Sequence, residues 1–68
     1  MKVFGERVKK ELREQGRMQK ELCEYLSVNK STLSEWLNNN NEPPMHYIAE
    51  IAKFLEVSAD YLLGLKDD

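Results

Sequence analysis

The stretch QKELCEYLSVNKSTLSEWL, residues 19–37, decides the fold. Leu22, Leu26 and Val28, with Tyr25 beside them, carry the apolar spacing of a helix of about two turns. Leu33, Trp36 and Leu37 then recur at i, i+3 and i+4, the signature of a second helix with one buried face. Ser27 marks a tight turn between the two, and Asn29 is a good N-cap for the second. Cys23, a small residue, stands where the helices must cross. Asn29, Lys30, Ser31 and Ser34 leave the far side of the second helix polar.

The same pattern extends in both directions. Upstream, Phe4, Val8 and Leu12 recur every four residues among charges, which predicts an amphipathic helix over 3–15, stopped by Gly16. Downstream, four asparagines at 38–41 followed by Glu42, Pro43 and Pro44 form a loop, because asparagine tolerates left-handed backbone angles and proline cannot continue a helix. Pro44 suits the first turn of a fourth helix carrying Met45, Ile48, Ile51, Ala52 and Leu55 and ending near Glu56. Ser58 is the N-cap of a short fifth helix with Tyr61, Leu62 and Leu63, closed by Gly64. No strand pattern occurs. Five short helices, none able to bury its stripe alone, predict an all-α fold, a compact orthogonal bundle forming a single domain over 1–68.

Composition bounds the function. A chain of 68 residues, 41% hydrophobic and 32% charged, builds one small domain with an economical core. No apolar run exceeds three residues, which excludes a membrane helix, and no secretory signal is visible. The one cysteine, Cys23, cannot form an intramolecular disulfide, so a cytoplasmic location is expected. A net charge of −2 argues against a nucleic-acid partner at first sight. The balance is uneven, however: eight Lys and Arg against six Glu in residues 1–41 give +2, whereas two Lys against six Asp and Glu in residues 42–68 give −4. A nucleic-acid surface belongs to the first part.

The opening FGERVKKELREQG, the Q-x-x-L of Gln19 and Leu22, the run VNKSTLSEWLN, Pro43 after the loop and the ending VSADYLLG together resemble the lambda-repressor/Cro-type helix-turn-helix family, also called the xenobiotic-response-element family. The match covers nearly the whole chain. There are departures: Met18 stands where the family has Ser or Thr, Cys23 where it has Ala, Ser27, Asn39 and Glu56 where it has Gly, and Glu11 near a usual apolar position. Met18 forfeits a helix cap worth about 1 kcal/mol.

The resemblance implies the lambda-repressor-like five-helix domain, with the helix-turn-helix at helices 2 and 3. It also implies sequence-specific binding of double-stranded DNA by a transcriptional regulator, expected to be a repressor, with a recognition helix over about 29–38 in the major groove. Asn29, Lys30, Ser31, Thr32, Ser34 and Glu35 would then reach base edges. Lys30 is suited to guanine and Glu35 to a donor such as the cytosine amine. Gln19 would brace a phosphate, with Arg17, Lys20, Asn38, Asn39, Asn40 and Asn41 flanking the same strand. A homodimer is expected, placing two recognition helices about 34 Å apart, with Tyr61, Leu62, Leu63 and Leu65 as its apolar surface.

Other residues read more plainly. Trp36 shares its helical face with Leu33 and is core. Cys23 is a small buried residue without a partner for metal or redox chemistry. His46 is solvated, Tyr61 is core, and Tyr47 is left open. Lys9, Lys10 and Arg13 form an ordinary solvated face sooner than a phosphate grip. Glu35 stands between base readout and a carboxylate that is solvated or paired with Lys30 or Arg17. No phosphate loop, metal-ligand spacing or nucleophile set is present, so no enzyme, no cofactor, no metal and no small-molecule site is expected. The rival reading is a protein-interaction module of the same fold that has lost DNA binding, docking through its acidic fourth and fifth helices.

Overall fold

In the computed structural model, which describes residues 2–67, the chain forms five helices: α1 (Lys2–Glu14), α2 (Gln19–Leu26), α3 (Lys30–Leu37), α4 (Met45–Leu55) and α5 (Ala59–Leu62). No strand occurs among the described residues. Each helix contributes one stripe to a common core. Phe4 and Val8 of α1, Leu22 of α2, Leu33 of α3, Ile51 of α4 and Leu62 of α5 are completely buried. Helix α1 packs on α3 and α5, and α2 packs on α3 and α4, with α4 also against α5. The stripes predicted from spacing are the faces that meet, except that Met45, expected in the α4 stripe, is 82% exposed at the first position of that helix, and Tyr25 of α2 is exposed as well.

All five described helices end in the same way. The N–H five residues on closes back to a carbonyl in the last turn: Arg17 to Leu12, Val28 to Cys23, Asn40 to Glu35, Val57 to Ala52 and Leu65 to Asp60, at 2.8–3.2 Å. This closure requires a left-handed residue just before the donor. The five are Gly16, Ser27, Asn39, Glu56 and Gly64, with φ between 58° and 82°. Three are not glycine, and those are the three positions where the family resemblance expects glycine. The departures in sequence are thus real strain at identifiable points, smallest at asparagine.

Helix starts follow the sequence. Asn29 Oδ1 accepts from the N–H of Thr32 at 2.8 Å, and Ser58 Oγ accepts from the N–H of Tyr61 at 3.0 Å. Met18 provides no side-chain cap, yet Glu21 reaches back and accepts from the Met18 N–H at 2.7 Å, so half of the capping arrangement survives. Pro44 precedes α4 as its N-cap.

Several long side chains close the bundle. Arg7 donates to the carbonyls of Tyr61 and Lys66, both at 2.6 Å, with its guanidinium 4.6 Å from the Tyr61 ring centre. Gln15 donates to the Leu55 carbonyl at 2.8 Å and Arg17 to the Phe54 carbonyl at 2.6 Å, satisfying the exposed end of α4. Glu11, where the family has an apolar residue nearby, is half-buried and accepts from the Tyr61 hydroxyl at 3.2 Å. No described helix is long and apolar enough to cross a membrane.

Candidate nucleic-acid interface

Helix α3 is held by its inner face. Leu33 is fully buried, and Trp36 and Leu37 nearly so. Tyr47 of α4 lies against Trp36, ring centres 5.1 Å apart, and the exposed His46 stacks on Tyr47 at 4.1 Å. Tyr47 is therefore part of the support behind α3. The angle between α2 and α3 is set by Ser27, whose φ of 58° turns the chain in a single residue.

The outer face exposes Lys30, Ser31 and Glu35, preceded by exposed Asn29, with Thr32 and Ser34 half-buried at its margins. Their side chains are not equally available. Asn29 Oδ1 is occupied by the Thr32 N–H and by the Ser31 hydroxyl at 3.0 Å, which leaves the Asn29 amide to donate and the Ser31 oxygen to accept. Ser34 Oγ accepts from Asn38 Nδ2 at 3.1 Å and can still donate. Glu35 makes no ion pair with Lys30 or Arg17. Its carboxylate accepts from Asn41 Nδ2 at 2.9 Å, and its carbonyl accepts from the N–H groups of Asn40 and Asn41. Glu35 thus organises the asparagine loop from within α3. The Lys30 side chain alone among the exposed members of this face has no hydrogen bond or ion pair to the described residues, and its ammonium is open to a ligand.

Gln19 and Lys20 open α2, both exposed. Asn38, Asn39, Asn40 and Asn41 are exposed as well, and they follow α3 directly. Three of the residues expected from sequence fall elsewhere. Arg17 does not stand with this group: its guanidinium lies 3.6 Å from the Phe54 ring centre and donates to the Phe54 carbonyl, because the open end of α4 offers both an aromatic face and an unpaired acceptor. Tyr61 and Leu62, both expected on a dimer surface although Tyr61 is also read as core, are 4% and 0% exposed and belong to the chain's own core. Only Leu63, half-buried, and Leu65, 73% exposed, remain at the surface from that set.

Behind them, Pro43, Met45, Ile48, Ala49, Ala59 and Leu63 line an open apolar cleft of about 350 Å³, with Glu42 at its edge. Sequence reading had no signal for it, since the cleft forms where the start of α4 meets α5. Lys9 and Gly5 of α1 were likewise not tied to α3 by any local pattern. Lys9 Nζ donates to Asn38 Oδ1 at 2.8 Å.

The helix-turn-helix family model matches residues 8–62. Over 65 residues, 96% of this chain and 50% of the relative, the chain is 33% identical to the HTH-type transcriptional regulator ImmR of Bacillus subtilis (strain 168). Over 48 residues, 71% of this chain and 43% of the relative, it is 33% identical to the uncharacterized HTH-type transcriptional regulator YobD of the same organism. The chain spans about half the length of these curated relatives. No solved structure matches at comparable significance.

Proposed function

This chain belongs to the lambda-repressor/Cro-type helix-turn-helix family, and we propose that it binds double-stranded DNA sequence-specifically as a cytoplasmic transcriptional regulator, a repressor and not an enzyme. Helix α3 enters the major groove, with Lys30 as the principal base-reading side chain and Asn29, Ser31, Thr32 and Ser34 beside it. Gln19, Lys20 and the asparagines at 38–41 meet phosphates. The observation that carries this reading is the outer face of α3: polar and without apolar anchors, its small hydroxyl side chains set around the unengaged cation of Lys30, with the Glu35 carboxylate turned to the asparagine loop. An interaction face would instead need apolar or aromatic anchors there.

The molecule measures 29 Å along its longest axis. Half-sites one helical turn apart, about 34 Å centre to centre, therefore need two copies. We place the contact between copies at Leu63, Leu65 and Met45, which is 82% exposed beside the apolar cleft. Sedimentation showing only monomer at tens of micromolar, with and without DNA, would remove the dimer.

Selection from a random duplex library at low salt tests the DNA reading. Enrichment of a two-fold symmetric site, bound more weakly as salt rises, is the expected result. Absence of enrichment and of low-salt binding would replace it with a protein-interaction module.

A further inference from the structure

The geometry points to Lys9 of α1 as a DNA phosphate ligand that works from outside the helix-turn-helix, anchored to the recognition helix through Asn38. The inference rests on the DNA reading above. Lys9 Nζ donates to Asn38 Oδ1 at 2.8 Å, and the other end of the same amide, Nδ2, donates to Ser34 Oγ at 3.1 Å. Ser34 and Asn38, the C-cap of α3, are one turn apart on the side that carries Lys30. The chain Lys9, Asn38, Ser34 therefore ties a cation of α1 to the outer face of α3.

Three physical consequences follow. The amide of Asn38 is fixed in orientation, since one end meets a pure donor and the other donates to a hydroxyl. The ammonium retains two further N–H donors after its bond to Asn38. An α-helix with its side chains is about 10–12 Å across and nearly fills a major groove about 12 Å wide, so cations at its flank stand beside the phosphate walls. Lys9 is held at that flank. Its neighbour Lys10 is not: Lys10 pairs with Glu14 of its own helix at 3.6 Å.

The experiment compares salt dependence of binding to the selected site for the wild-type chain, Lys9→Met, Lys9→Gln, Lys9→Arg and Lys10→Met. Each neutralised phosphate contributes a slope of about 0.9 in log K against log salt. Lys9→Met and Lys9→Gln are expected to lose about one such unit, with affinity falling by a similar factor on every sequence, while Lys9→Arg and Lys10→Met keep the wild-type slope. Glutamine can still donate to Asn38, so its loss of slope reports the charge and not the brace. If Lys9→Met fails to fold, Lys9→Gln carries the same test. An unchanged slope in Lys9→Gln, with wild-type binding intact, overturns this inference alone. A wild-type chain that binds no duplex at low salt overturns it together with the DNA reading.

Discussion

A Cβ added to Gly5 in α1 would overlap the carbonyl oxygen of Leu37 in α3 and lie 2.6 Å from its carbonyl carbon. The two helices are in backbone contact at this point, and α1 seats the C-terminal end of the recognition helix through a residue without a side chain. The same approach brings Lys9, one turn further along α1, to Asn38.

Replacing Gly5 with alanine should therefore destabilise by more than about 3 kcal/mol, since the obstacle is backbone and cannot swing aside. A domain of this length has roughly 3–10 kcal/mol to lose. Urea unfolding followed by circular dichroism measures the effect. A midpoint equal to wild type would mean that α1 and α3 do not approach as described.

Ser27 and Glu56 hold left-handed angles, both with φ of 58°, that cost an ordinary L-residue strain glycine does not feel. Against that relief stands glycine's larger unfolded-state entropy. Ser27→Gly and Glu56→Gly should each stabilise by about 0.5–1 kcal/mol, and the pair should raise Tm by roughly 4–16 °C in a domain of this size. Asn39→Gly should gain less, because asparagine already tolerates φ of 64°. Calorimetry on the three variants checks the order; a larger gain at Asn39 than at Ser27 would contradict it.

Lys30→Ala should weaken binding mainly on sequences carrying one particular base, by about 1–3 kcal/mol, while Gln19→Ala weakens all sequences alike. Glu35→Gln should tighten binding evenly, because glutamine can still accept from Asn41 and hold the loop while the like charge facing phosphate is gone. Affinities against a panel of single-base operator variants separate these outcomes. A loss with Glu35→Gln confined to one base pair would place Glu35 at a base edge instead.

The Tyr25 hydroxyl donates to Glu50 Oε1 at 3.1 Å, and this bond to a carboxylate, with desolvation and the Glu50 charge, raises the phenol above its ordinary 10.0. A folded-state value above the unfolded one means that the contribution is fully present below pH 10.0 and is lost as pH rises through the higher folded value. Tyrosinate absorbance should show Tyr25 ionising above its ordinary value, a late contribution that is subtracted in Tyr25→Phe. If the wild-type minus Tyr25→Phe difference shows a tyrosine ionising at its ordinary value, the contact between α2 and α4 is not made through Glu50.

The features legible in the chain before it folds are local and periodic. Apolar spacing identified five helices and most of the stripe each buries, because a 3.6-residue period writes the inner face into the chain, though it could not tell that Met45 at the start of α4 stays exposed. Caps were legible at Asn29 and Ser58, and the outer face of α3 followed from the inner one by subtraction. The turn at Ser27 was legible too, though the glycine pattern it departs from became strain only once its φ was known.

Tertiary structure decided everything that joins residues distant in the chain. No pattern near Arg17 announces that Phe54 will offer it a ring and a carbonyl, so its charge and its place beside Gln19 in the family pattern put it among the phosphate ligands. The apolar character of Tyr61 and Leu62 was plain, but whether they face a second copy or their own core depends on how α5 lies against α1, where Glu11 and Arg7 hold it. Lys9 and Lys10 are indistinguishable as letters. One reaches Asn38 and the other Glu14 because Gly5 lets α1 come down on the end of α3, a packing distance that no single helix encodes.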